Sequence, residues 1–418
     1  MNQRLFARPA CLLLLIAFTL AAGVAGAGAA DWPWWRGENR DGIAPAGQNP
    51  PVEFGPGKNE RWSAPVPGRG HGSATVVDKR VFLAFADPEA QQEGVLCFDR
   101  QTGKELWKTV VHQGGLPEKM NSKASHASST PACDGERVYI NFLNGGSAFT
   151  TALTVEGEMV WQRELCKYTI HQGYGSSPAI YRDLVIVSAD NKAGGVICAF
   201  HRADGKPAWR VERPKFPNYA SPIIHRVGGT DQLFMHGCEL VSCFDPLTGE
   251  KRWEFPGSTT ECVTSIVTDG ERIFISGGYP KNHVAAVAAD GSGKVVWENN
   301  SRVYVPSMLV KDGYLYAIKD NGVAACWKSA TGEPMWEERL ARGVSGSPVL
   351  AGDRIYTVDE TGWAYVHAAD PNEFKPIAKN ELGDESLSTP TIVDGAIYIR
   401  VATNEGGKRQ ERLYCFGE

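Results

Sequence analysis

Eight polar or aromatic side chains in this chain are of types that can hold a ligand: His71, His126, His171, Tyr174, Asn218, Tyr219, Glu261 and Tyr304. Imidazoles are common ligands for metals and anions, phenols donate hydrogen bonds, and a carboxylate accepts them. Each of the eight stands shortly before a short apolar run. The three histidines alone do not make a metal site, because a metal needs their nitrogens on one ion, and spacing by whole repeat units does not impose that. The adjacent acids Asp359 and Glu360 raise the question of Ca²⁺, but neighbours on an extended strand point to opposite faces. The expectation is a ligand-binding set with no metal and no catalytic residue. No Gly-x-Ser-x-Gly or His-Glu-x-x-His motif occurs. The pairs Gly145-Gly146 and Gly277-Gly278 open no helix, so they are not phosphate cradles. Asp190-Asn191-Lys192 and Asp320-Asn321-Gly322 read as plain turns.

The elements that must position these groups are repeats. Six times a glycine is followed four residues later by tryptophan: Gly103/Trp107, Gly157/Trp161, Gly205/Trp209, Gly249/Trp253, Gly293/Trp297 and Gly332/Trp336. Upstream of each pair lies an apolar strand, as in Leu96-Cys97-Phe98-Asp99. Further upstream comes a hairpin of two apolar strands, as in Ser177-Pro178-Ala179-Ile180 followed by Leu184-Val185-Ile186-Val187. Asp-Gly marks the hairpin turn at Asp134, Asp269, Asp312 and Asp394, a pair suited to a tight turn with positive φ at both centres. Each unit therefore reads as four strands, A to D, with the tryptophan on the outermost. An indole there wedges between neighbouring sheets.

Eight A–B hairpins follow one another, beginning near Ser73, Ser129, Ser177, Ser221, Thr264, Pro306, Ser347 and Thr389. The seventh unit has Phe374 in place of tryptophan. The eighth stops after its third strand, at Leu413-Tyr414-Cys415-Phe416, while Trp62 stands before the first hairpin with no unit of its own. The surplus strand and the missing one complete each other, which closes a ring and leaves no unpaired blade. At about 45 residues per unit the repeat has the length of a propeller blade. The expectation is an all-β, eight-bladed β-propeller of four-stranded antiparallel blades. Its last blade is closed by an N-terminal strand, and its loops before strand A converge at the mouth of a central channel. The domain spans residues 58–418.

Ahead of it, residues 31–57 are rich in Pro and Gly and carry Trp32, Trp34 and Trp35; they read as an extended strap bracing the ring's side. Residues 1–30 join Arg4 and Arg8 to an apolar run from Cys11 to Ala22 and a small-residue exit at Ala27-Gly28-Ala29-Ala30. This pattern reads as a secretory signal, too short for comfortable spanning. No other run is long enough to cross a bilayer. The composition has 43 Lys+Arg against 48 Asp+Glu and gives no electrostatic footprint for nucleic acid. Ten cysteines, one of them in the leader, leave an odd number and no complete disulfide framework. Cys97, Cys198, Cys243, Cys326 and Cys415 fall at one repeat position in strand C, far apart around a ring. A bridge between Cys238 and Cys243, which flank a hairpin, stays open.

The units Asp99-Arg100-Gln101-Thr102-Gly103 through Trp107 and Asp245-Pro246-Leu247-Thr248-Gly249 through Trp253 resemble the tryptophan-docking repeats of pyrroloquinoline quinone (PQQ)-type propellers. The segment from Asp31-Trp32-Pro33-Trp34-Trp35-Arg36-Gly37 to Gly42 is similar to the opening of exported bacterial proteins of this group. The resemblance covers residue 31 to the end. It implies one of two branches: BamB-like scaffold proteins of outer-membrane assembly, or quinoprotein alcohol and sugar dehydrogenases. In the second branch PQQ lies between a Trp floor and a disulfide of adjacent cysteines, beside Ca²⁺. This sequence has no Cys-Cys dipeptide and no Cys-x-x-Cys-His. The expectation is an exported, monomeric, non-catalytic binding or scaffold protein of the cell envelope, with an envelope protein or a small carbohydrate or peptide as partner. The alternative is a PQQ-dependent dehydrogenase using the channel mouth.

Overall fold

Strands B and C of the first unit, Arg80–Asp87 and Gln92–Asp99, are apolar on both faces and buried throughout their middles. Strand D, Glu105–Gln113, is largely exposed on one face. That gradient is what a sheet acquires when its inner strands lie between two other sheets and its last strand forms the rim. The computed structural model describes Met1 and residues 30–418, so the proposed leader lies almost wholly outside the described residues. These residues form eight four-stranded antiparallel sheets and no helix. Blade 1 adds strand A, Thr75–Val77, to the three strands above. Blades 2 to 7 repeat the pattern over 132–167, 179–213, 223–256, 267–299, 309–339 and 349–381. Blade 8 has Thr391–Val393, Ala396–Glu405 and Lys408–Phe416, and its fourth strand is Glu60–Val66 from the other end of the chain, with Trp62 opposite Cys415. Strand A of blade 8 adjoins strand A of blade 1, and the ring is closed.

The tryptophans join successive blades. Trp62, Trp107, Trp161, Trp209, Trp297 and Trp336 each donate the indole N–H to a backbone carbonyl of the following blade: Arg100, Val155, Arg202, Pro246, Ser329 and Asp370, at 2.8–3.2 Å. The repeat glycine is the floor under the indole of the preceding blade. A Cβ on Gly157, φ +94°, would stand 2.7 Å from Trp107, and one on Gly205 2.6 Å from Trp161. Glycine is required there twice over, by its left-handed φ and by the ring above it. Trp253 departs from the pattern and stacks on Phe255 at 5.4 Å.

Several details differ from the sequence reading. Phe374 is not in the tryptophan slot. Blade 7 pairs Val366 with Ala378, as blade 1 pairs Cys97 with Trp107, so the slot holds alanine. Phe374 lies in the C–D turn against Trp336 of blade 6, 5.5 Å between centroids. The gap is filled from the strap. Phe54 lies 6.4 Å from Tyr356 and 5.3 Å from Phe416, reproducing Trp62 with Tyr398 at 5.9 Å and Phe98 at 6.5 Å. Cys97, Cys243, Cys326 and Cys415 do share a register position opposite tryptophan, but Cys198 lies one residue earlier, opposite Arg210. Cys238 and Cys243 are both free thiols. The Asp-Gly turns divide into two kinds. At Asp312 and Asp394 both residues have positive φ, whereas at Asp134 and Asp269 only the glycine does, and the aspartate caps the next N–H groups instead.

The strap does not brace the ring's side; it crosses one end of the channel. Trp32 bridges Val76 of blade 1, and the Pro33 carbonyl accepts from Cys133 N–H entering blade 2. Arg40 reaches the Ile180 carbonyl of blade 3, and buried Arg36 donates to the Met308 carbonyl beside blade 6. Ala44 N–H meets Leu350 of blade 7, and Gln48 accepts from Gly395 of blade 8. Six backbone carbonyls or amides from around the ring thus hold one segment across the axis.

Candidate functional site

A ring of hydroxyls lies where the chain enters strand A. The amide of Ser73 donates to Thr130 Oγ1, Thr130 to Ser177 Oγ, Ser177 to Ser221 Oγ, Ser265 to Ser307 Oγ, Ser307 to Ser347 Oγ and Ser347 to Thr389 Oγ1, all at 2.8–3.0 Å. Six small polar residues preceding strand A therefore satisfy a buried N–H of the blade before, which explains why Ser or Thr recurs there. The series is interrupted at Ser73, whose Oγ has no protein partner, and at Ser265, whose Oγ accepts the indole N–H of Trp35 at 2.8 Å. The strap has docked an aromatic ring into the hydroxyl belt.

Above Trp35 the axis widens into a funnel of about 520 Å³. This lies within the range of small-molecule sites, roughly 300–1,000 Å³. Thr130, Ser177, Ser221, Ser347 and Thr389 line it low down, and His71, Tyr174, Tyr219 and Tyr304 line its wall. The Tyr174 hydroxyl is committed to the Ser188 carbonyl at 2.9 Å. Tyr219 Oη and His71 Nε2 are buried without a protein partner. Burial pushes the His71 imidazole well below its ordinary value, and the nearby Arg69, Arg400 and Arg409 push in the same direction, so it is neutral. Burial and the neighbouring Glu261 raise the Tyr304 and Tyr219 phenols.

The acids around the funnel are engaged by neighbours. Glu261 Oε1 lies 3.1 Å from His171 Nε2, and its Oε2 accepts from the Tyr304 hydroxyl at 3.0 Å. Glu360 meets Lys123 Nζ at 2.8 Å and Ser345 Oγ at 2.6 Å. Asp320 accepts the Tyr304 amide at 2.7 Å, and burial raises its carboxyl. Asp359 and Glu360 do diverge: the former caps its own turn and accepts from Tyr365.

The eight sequence candidates thus separate. His71, Tyr174, Tyr219 and Tyr304 meet in the funnel wall, with His171 and Glu261 paired beside them. His126 is half-buried outside the lining, where burial lowers its imidazole. Asn218 turns away: its amide donates to Asp190 at 3.0 Å and to the His236 carbonyl at 2.9 Å, and its oxygen accepts from Cys262 N–H. Asp190 is no plain turn residue but the buried partner of Arg213, both side chains 2 % exposed. Sequence reasoning missed Trp35, Arg302, Asp320 and the hydroxyl belt as lining groups. The recurrent Ser/Thr before strand A was the available signal for the belt; nothing in the sequence marked Trp35 above Trp32 and Trp34.

Of the PQQ arrangement implied by the resemblance, the funnel offers an aromatic base in Trp35 but no counterpart of the disulfide of adjacent cysteines. No cysteine lines the funnel, no two are adjacent in sequence, and among the described residues no group of three His, Cys, Asp or Glu is placed to hold a metal ion.

Comparison with known proteins agrees with the architecture. The outer membrane protein assembly factor BamB of Moranella endobia is 24 % identical over 356 residues, 79 % of this chain and 82 % of that protein. Among solved structures, a europium-containing methanol dehydrogenase superposes with a TM-score of 0.68 at 11 % identity, covering 93 % of this chain and 98 % of its own. BamB from Moraxella catarrhalis gives 0.60 at 13 % identity, covering 85 % and 99 %. At such identities these two likenesses concern the fold, which enzymes and scaffolds share. A family model described as outer membrane protein assembly factor BamB matches residues 91–280 and 280–372. On the strength of that match, which takes in most of the ring, this chain belongs to the BamB family of PQQ-like β-propellers.

Proposed function

We propose that the protein is an exported, non-catalytic binding or scaffold protein of the cell envelope, assembling with another envelope protein. The observation that carries this reading is the family match over residues 91–280 and 280–372, beside a funnel whose acids Glu261, Glu360 and Asp320 are each held by a protein donor. The family relationship and the basic, then apolar, leader support export and an envelope partner. In-cell crosslinking followed by affinity capture tests it. A single envelope protein in near-stoichiometric yield is the expected result. Absence of any partner, together with dye reduction by the purified protein supplied with PQQ and Ca²⁺, would overturn it in favour of the dehydrogenase reading.

A further inference from the structure

The funnel carries more than an accident of ring closure. Its belt hydroxyls use their oxygens to accept neighbouring amides, and among the described residues their own O–H groups have no protein acceptor. The lower funnel is therefore lined with donors. Trp35 presents an aromatic surface at the base. Two further polar groups of the wall, Tyr219 Oη and His71 Nε2, are buried and unpartnered. Their desolvation has already been borne by the fold, so a ligand that meets them gains nearly the whole bond. The charges on the lining are balanced: Lys123 and Arg302 against Asp320 and Glu360. With Glu360 already meeting Lys123, the lining offers no net charge to favour an ion of either sign.

A flat apolar face, many acceptor oxygens and no net charge describe a sugar ring. Its C–H face covers an indole, and its hydroxyl and ring oxygens accept from the belt. A peptide terminus brings a charge, and a strand requires alternating donors and acceptors, which the belt lacks. We propose that the funnel is a binding site for an uncharged sugar ring, stacked on Trp35 and hydrogen-bonded by Thr130, Ser177, Ser347 and Tyr219. This goes beyond the scaffold reading and does not depend on it.

Saturation-transfer NMR on the full mature chain tests it, with maltose and N,N′-diacetylchitobiose as neutral probes and glucuronate as the charged one. Transfer to the ring C–H protons of a neutral probe is expected, with affinity about tenfold weaker in Tyr219→Phe, a change worth one lost hydrogen bond. Trp35→Leu should abolish transfer; should that variant fail to fold, Tyr219→Phe decides alone. A methyl glycoside that binds as well as the free sugar supports the end of an anchored glycan as the source. Preference for the free sugar supports a soluble one. No transfer from either neutral probe, equal transfer in folded Tyr219→Phe, or transfer confined to glucuronate would overturn the inference. A partner captured by crosslinking would survive that failure, so the two readings fail separately.

Discussion

Two glycines with nearly the same backbone isolate the docking of an indole. Gly157 has φ +94° and Gly135 φ +91°, but an added Cβ meets Trp107 at the first and open space at the second. Gly135→Ala should cost only the strain of a left-handed alanine, roughly 1–2 kcal/mol. Gly157→Ala should cost that plus about 1–3 kcal/mol for displacing a packed ring. Urea denaturation of both variants checks the difference; equal losses would mean the indole is not held by the turn beneath it. At the same scale, Ser177→Ala leaves the buried Thr130 N–H without its acceptor and should cost about 1–3 kcal/mol. Ser→Ala at an exposed position should cost almost nothing by the same assay.

The strap is the element whose role changed most between sequence and structure. Its aromatic residues are dispersed along the crossing: Trp32 is buried on blade 1, Trp35 closes the belt, and Phe54 stands in for the seventh blade's missing tryptophan. Phe54 is 3 % exposed, so Phe54→Ala should destabilise by about 3–5 kcal/mol. Phe54→Trp should be tolerated better than Phe54→Ala. Phe374→Ala, in a half-buried turn, should cost less than Phe54→Ala. Thermal melts of the three variants order them, and a larger loss at Phe374 would restore the slot assignment read from sequence. The wedge was legible as a need, since one blade lacked its tryptophan. Its donor was not, because Phe54 is brought in by tertiary contact from some 300 residues away, and no local pattern encodes such a substitution.

The ring holds three imidazoles in their neutral form, whereas burial at His236 is outweighed by the neighbouring Cys262, which raises it. Burial takes His225 and His367 down to about 4, and His71 well below its ordinary value. In the unfolded chain each takes up a proton below about pH 6.5, whereas in the ring His225 and His367 do so only near 4. Their contribution to stability is full above 6.5 and falls as the pH drops from 6.5 towards 4. Between pH 7 and pH 5 each of these two should cost roughly 2 kcal/mol. Urea midpoints at the two values measure the loss. His367→Phe, which keeps an aromatic ring beside Phe374 and Trp336, should make the decline shallower.

What the sequence determined by itself is the repeat and its consequences. Short apolar runs with turn residues between them dictate four-stranded units. A glycine and a tryptophan four residues apart dictate how one unit meets the next. A surplus strand at one end and a missing strand at the other dictate closure. All of these are local or periodic signals, and each blade carries its own copy. The tertiary structure alone decided the funnel. Whether His171 reaches Glu261, whether Asn218 faces the axis or Asp190, and whether Trp35 rather than Trp34 ends in the belt depend on how loops from different blades converge. Those contacts join residues tens to hundreds of positions apart, and their geometry is set by packing around the ring, which spacing along the chain does not record.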